Sequence, residues 1–131
     1  NYLGFHDQNL SEKTFDSFNF NIFFMSTFIT FKFSGLPTTH GIYLEQCMSP
    51  GKIGAAPSSC NPAEASKLWI SNVPADLKQG AKSGKGSVTM HVDAYFKGGD
   101  CIHTTCVIFA TSDHNAPQDR SEDQAIKFRF S

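Results

Sequence analysis

The chain has 131 residues, a formal net charge of −1, 40% apolar residues and 18% charged residues. That length is one domain with room for a real core. A nearly neutral balance with no basic stripe excludes a nucleic-acid footprint and strong attraction to an anionic membrane. Thirteen phenylalanines among many Ser, Thr, Asn and Gly residues suit an all-β secreted domain better than a helical one.

Nine of those phenylalanines lie in the first 33 residues. Phe18, Phe20, Ile22 and Phe24 alternate with Ser17, Asn19, Asn21 and Phe23, the period of a strand with one buried face. Ile29, Phe31 and Phe33 alternate on the opposite parity, so a bulge, turn or change of sheet is expected near residues 25–27. Asn19, Asn21, Ser26, Thr27 and Thr30 interrupt the run, so it is not a membrane-spanning helix.

Further along, residues 35–41 read as a turn, and residues 42–47 as a strand with Ile42, Leu44 and Gln46 on one face. Residues 48–60, rich in Pro, Gly and Ser, are a ribbon or an irregular loop. Pro62 is placed to open a helical turn. Residues 68–70 are a short strand, with Trp69 expected in the sandwich core and Leu68 and Ile70 facing the other way. Residues 72–86 read as an exposed connection. In the next strand Val88, Met90, Val92 and Ala94 face inward. A Gly98-Gly99 turn follows, then a strand over 107–111, a polar loop over 112–123 and a closing strand over 125–130. Seven or eight strands without a convincing helix predict an all-β, immunoglobulin-like two-sheet β-sandwich.

Four cysteines sit as two close pairs, Cys47 with Cys60 and Cys101 with Cys106. Three connectivities are possible, and local pairing is the simplest. A zinc site competes, against the lack of Cys-x-x-Cys spacing. Disulfides imply an oxidising, extracytoplasmic compartment. The first residues lack a basic start followed by an apolar run, so the chain is read as extracellular or cell-surface, after removal of a signal peptide.

The histidines at 6, 40, 91, 103 and 114 show no metal-ligand spacing on one element, although strand geometry can bring distant ones together. No metal or cofactor is expected. In the late loop, Asp113, Asp119, Arg120 and Asp123 are expected to form an ion-pair network that Arg120 bridges. Ser112 or Ser121 beside His114 and Asp113 is the one nearby set for nucleophilic catalysis. It lies on a single loop, and no Gly-x-Ser-x-Gly elbow is present. No enzyme is expected.

From Gly35 onward the pattern resembles the neocarzinostatin family, the enediyne-binding chromoproteins of actinobacteria. The resemblance rests on Gly41-Ile-Tyr-Leu-Glu-Gln-Cys47, Cys60-Asn-Pro-Ala63, Gly86-Ser-Val-Thr-Met90, the Asp100-Cys101 to Cys106 segment and Ser112-Asp-His-Asn-Ala116. Trp69-Ile-Ser-Asn-Val-Pro74 and Asp119-Arg-Ser-Glu-Asp123 are similar to a related set of actinobacterial secreted and surface modules. The resemblance implies a seven-stranded sandwich with two local disulfides, and a cleft for an apolar small molecule between the sandwich and a small ribbon. Family members line that cleft with apolar or aromatic groups. At the matching positions this chain has Ser49, Ser58, Ala65 and Val107, which implies an altered pocket.

The resemblance leaves residues 1–26 as an N-terminal extension and 27–131 as the sandwich. Phe15, Phe18, Phe20, Ile22 and Phe24 then become candidates for self-association, donating a strand to the next copy and building a filament. The leading expectation is a cell-surface structural protein that assembles with copies of itself. The alternative is a small-molecule carrier with an altered pocket.

Overall fold

A computed structural model describes residues 4–7, 26–52 and 55–130. They form an all-β, two-sheet sandwich with two local disulfides, as the alternation of the sequence predicts. One sheet has three strands in the order β1 (Gly4–Asp7), β2 (Ser26–Ser34) and β6 (Ser87–Asp93). The other has five, in the order β10 (Gln124–Phe128), β9 (Cys106–Ser112), β3 (Ile42–Met48), β4 (Lys67–Ser71) and β5 (Lys82–Ser83). A small hairpin of β7 (Tyr95–Phe96) and β8 (Gly99–Asp100) completes the strands, turning at Gly98 with φ of 89°. That backbone conformation favours glycine over any residue with a Cβ.

Inward parity follows the sequence closely. Ile29 and Phe31 of β2 and Val88, Met90 and Val92 of β6 meet Ile42 and Leu44 of β3, Leu68 and Ile70 of β4, and Ile108 and Ala110 of β9. All are buried. At the closing end Phe128 and Phe130 are buried too, their rings 6.2 Å apart, although β10 ends at Phe128. Past the strand, the Phe130 amide still donates to the Cys101 carbonyl at 2.7 Å. The two disulfides are Cys47–Cys60 and Cys101–Cys106.

Four details differ from the sequence reading. Trp69 lies half-buried on the outer face of its sheet, while Leu68 and Ile70 fill the core. Adjacent strand positions cannot share a face, and two aliphatic residues outweigh one aromatic. Within residues 72–86 there is a short helix, α1 (Pro74–Lys78), with Pro74 in its first turn and Lys78 in its last. Five residues are too few to show helical periodicity. The strand expected over 87–96 divides at Ala94, whose carbonyl accepts from Cys101 at 2.8 Å. Finally, Gly4–Asp7 pairs antiparallel with β2 in the same chain, with Gly4 opposite Ser34 and Asp7 opposite Phe31. The three-stranded sheet therefore draws on residues from both sides of position 26. The self-association candidates Phe15, Phe18, Phe20, Ile22 and Phe24 lie outside the described residues, as does Met25, whereas Ser26 and Thr27 of the expected phase change at 25–27 pair in regular register with Asp93 and Val92.

The two sheets are tied at one end by a polar cluster. Gln46 of β3 is fully buried, and its side-chain amide donates to the Asp93 carbonyl at 2.6 Å. Its side-chain oxygen accepts from the Asp93 amide at 3.0 Å and from Asn61 Nδ2 at 2.8 Å. Asn61, held next to the first disulfide, also reaches Asp93 Oδ2 and Ser66 Oγ. Buried polar groups cost about 1–3 kcal/mol each when unpaired, and here both faces of each amide are engaged.

Candidate functional site

The outer face of the five-stranded sheet carries a cleft of about 520 Å³, a size suited to a small molecule. Its floor is set by strand register. Ala125 lies opposite Phe109 and Lys127 opposite Val107, and all four side chains share the face turned from the core. The loop after β3 forms the wall, with Ser49, Pro50, Lys52 and Ala55. That loop is anchored where the Ser49 amide donates to the Thr105 carbonyl at 3.1 Å. Val107 is only 1% exposed although it points outward, so the wall covers it. Of the four positions implied by family resemblance, Ser49 and Val107 line this cleft. Ser58 does not. Ala65 borders a separate groove with Phe28, Trp69 and His91.

Asp123 stands at the cleft rim. Its Oδ2 pairs with the Arg120 guanidinium at 2.5 Å, while its Oδ1 is buried and has no hydrogen-bond partner among the described residues. Leaving a buried acceptor unpaired costs about 1–3 kcal/mol, more if it carries charge.

The rest of the late loop is organised around other partners. Asp113 is 1% exposed and accepts from the Gly41 amide at 2.8 Å, the Trp69 indole at 2.9 Å and the Asn115 amide at 2.9 Å. Burial raises its pKa, but those three donors, aided by His114, outweigh burial and hold the carboxyl below its usual range. Gly41 is needed for this approach, because a Cβ there would sit 2.7 Å from Ser71 Cβ and 2.9 Å from Asp113 Oδ2. Asp119 Oδ1 accepts from the Ser121 hydroxyl and amide, which lowers its pKa. Arg120 therefore meets Asp123 and not Asp113 or Asp119, among the described ion pairs. The loop's short separations favour Asx-type turns over a fork that reaches three carboxylates.

The serine–histidine set read from the sequence is not assembled. His114 is exposed, with its Nδ1 2.5 Å from the Tyr43 hydroxyl and its ring tilted at 59° against Trp69, the centroids 5.0 Å apart. Burial is the first cause that raises the Tyr43 pKa, and Asp113 adds to it. Ser112 instead donates to Glu122 Oε2 at 2.6 Å, and its Oγ lies 3.5 Å from His40 Nε2. Glu122 Oε1 lies 3.3 Å from the same Nε2. A triad needs the carboxylate on the ring nitrogen remote from the serine. Here serine and carboxylate share one nitrogen, so the set does not prepare a nucleophile.

Sequence reasoning missed the roles of His40, Glu122 and Phe109. His40 and Glu122 are distant in sequence, and their meeting needs the β3–β9 pairing that sets Ile42 opposite Ser112. The outward parity of Phe109 was available as a signal, since Ile108 and Ala110 occupy the other face. Among the described residues, two groups have metal-ligating atoms in mutual reach. Glu45 with Cys47 and Cys60 is one, but both its sulfurs are in a disulfide. His40, Asp119 and Glu122 form the other.

Comparison with known proteins gives no match: no family model, no curated protein and no solved structure corresponds to this chain.

Proposed function

We propose that the protein is an extracytoplasmic, non-catalytic binding module that takes a small, partly apolar ligand bearing a cationic or hydrogen-bond-donating group. The observation that carries this reading is the cleft over Val107 and Phe109, with the Asp123 side chain among its lining residues. An apolar patch of Val107, Phe109 and Ala125 edged by polar groups, here Ser49, Lys52, Asp123, Gln124 and Lys127, is the usual makeup of a small-molecule site. The resemblance to the neocarzinostatin family supports the reading, since that family carries ligands in a cleft beside the first disulfide. Two local disulfides support an oxidising compartment.

Calorimetry with 2-phenylethylamine tests this function, with phenylacetate and ethylbenzene as the anionic and neutral counterparts. The amine is expected to bind at least tenfold more tightly than either, and Asp123→Asn to remove most of that preference. Equal binding of all three, or none of the amine, would contradict the proposal.

A second reading is self-assembly through Phe15, Phe18, Phe20, Ile22 and Phe24. One observation favours it: Phe28, near the start of β2 and just after that stretch, is 65% exposed on the outer face. Sedimentation separates the readings. A concentration-independent monomer contradicts assembly, whereas filaments lost on deleting residues 15–24 support it.

A further inference from the structure

We propose that His40 Nε2, Glu122 Oε1 and Asp119 Oδ2 form a binding site for a divalent transition-metal ion of the zinc type. The three atoms converge. Nε2 lies 3.3 Å from Oε1 and 3.9 Å from Oδ2. Ligands about 2.0–2.2 Å from a tetrahedral zinc ion are about 3.3–3.6 Å apart, so the first distance already fits. The second closes with a small movement of Asp119, whose side chain is 38% exposed. His40 and Glu122 are fixed, at 6% and 4% exposure.

The outward-facing atoms of the same three side chains are held by other groups. His40 Nδ1 meets the Thr39 hydroxyl at 3.1 Å. Glu122 Oε2 accepts from the Ser112 and Ser121 hydroxyls at 2.6 and 3.0 Å. Asp119 Oδ1 accepts from the Ser121 amide and hydroxyl at 2.8 and 2.5 Å. In metal sites the second atom of each ligand is characteristically fixed by such outer partners, which aim the ligating atom inward. Among the described residues, the one hydroxyl hydrogen-bonded near Nε2, Ser112 Oγ at 3.5 Å, is already committed to Glu122.

One imidazole and two carboxylates select a zinc-type ion. Calcium prefers six to eight oxygen ligands and does not favour imidazole nitrogen. A bound ion would pin the late loop to the turn before β3, and with it Asp123 at the cleft rim. The site does not depend on the cleft binding a ligand.

The test is calorimetric titration of zinc chloride into the intact, chelator-treated protein at pH 7.5, with calcium chloride in parallel. One zinc equivalent per chain and no calcium uptake are expected. Asp119→Asn keeps the Ser121 contacts and should weaken zinc by about tenfold or more, as even outer-partner losses do. Glu122→Gln should do the same. If it fails to fold, the more exposed Asp119 variant decides the matter. His103→Ala removes the surface His103–Asp100 pair and should leave the stoichiometric site unchanged. In the wild-type protein, zinc should also shift the His40 Nε2 resonance. The proposal is overturned if no zinc binds, if Asp119→Asn binds zinc as tightly as the wild type, or if His103→Ala abolishes the binding. A His40 that binds only a proton gives the first of those results.

Discussion

Two polar clusters flank the same strand and are built on opposite principles. At the end of β3, Gln46 and Asn61 present amides whose donors and acceptors all find partners, and they join one sheet to the other. At its beginning, His40 meets Glu122 and Asp119, an acceptor-rich set whose outer atoms are held and whose inner atoms point together. Amides suit closure because each carries both donors and acceptors. Ionised carboxylates only accept, so among the described residues the second cluster has only the His40 imidazole, the Ser112 and Ser121 hydroxyls and the Ser121 amide to set against two acids. The first cluster ties the two sheets, and the second is where the proposed ion would sit.

The largest difference should follow from Gln46→Met. The shape is nearly kept, but the Asp93 amide and carbonyl and an Asn61 donor lose partners. Urea unfolding should show a loss of about 3 kcal/mol, at about 1–3 kcal/mol per orphaned group. A loss below 1 kcal/mol would mean that the cluster is not a structural tie. Breaking Cys47–Cys60 by a double Cys→Ala change should cost about 3 kcal/mol, and the shorter Cys101–Cys106 loop about 2 kcal/mol. The reverse order under the same denaturant would show that native-state contacts, not loop closure, set their worth.

A smaller effect, about 1–3 kcal/mol, is expected for Gly41→Ala. The new methyl group meets Ser71 and Asp113, so melting temperature should fall while the Gln46–Asn61 amides keep their hydrogen-exchange protection. Loss of protection at both ends together would argue against two separable regions. The smallest effect is a pH dependence. Asp113 has a lowered pKa in the folded state, so its contribution is fully present above the unfolded value near about 3.9. It is lost as pH falls through the lower folded value. Asp113→Asn should flatten the acid limb of a stability-versus-pH curve. An unchanged limb would remove Asp113 from the account.

Much of the sandwich was readable in the sequence because alternation reports burial directly. Ile42, Leu44 and Gln46, and Val88 through Ala94, all face as their parity says. The cysteine spacing likewise pointed to local pairing, one of three open connectivities. What alternation does not encode is which outward residues will be covered again. In the sequence reading Val107 and Phe109 have no assigned face, and the loop after β3 is what makes them a cleft floor. Trp69 was misplaced because size was weighed over parity. The meeting of His40 with Glu122 depends on strand register between distant segments, which a single sequence leaves open.

The central claim is that binding capacity resides at the late loop and the cleft, not at the amide cluster. Amide chemical-shift mapping of the folded protein during titration with 2-phenylethylamine tests it most directly. The account predicts saturable shifts at Val107, Phe109, Gln124 and Ala125, with Gln46, Asn61 and Asp93 unmoved. Shifts centred on Gln46 and Asn61, or no saturable shifts at the cleft residues, would contradict it.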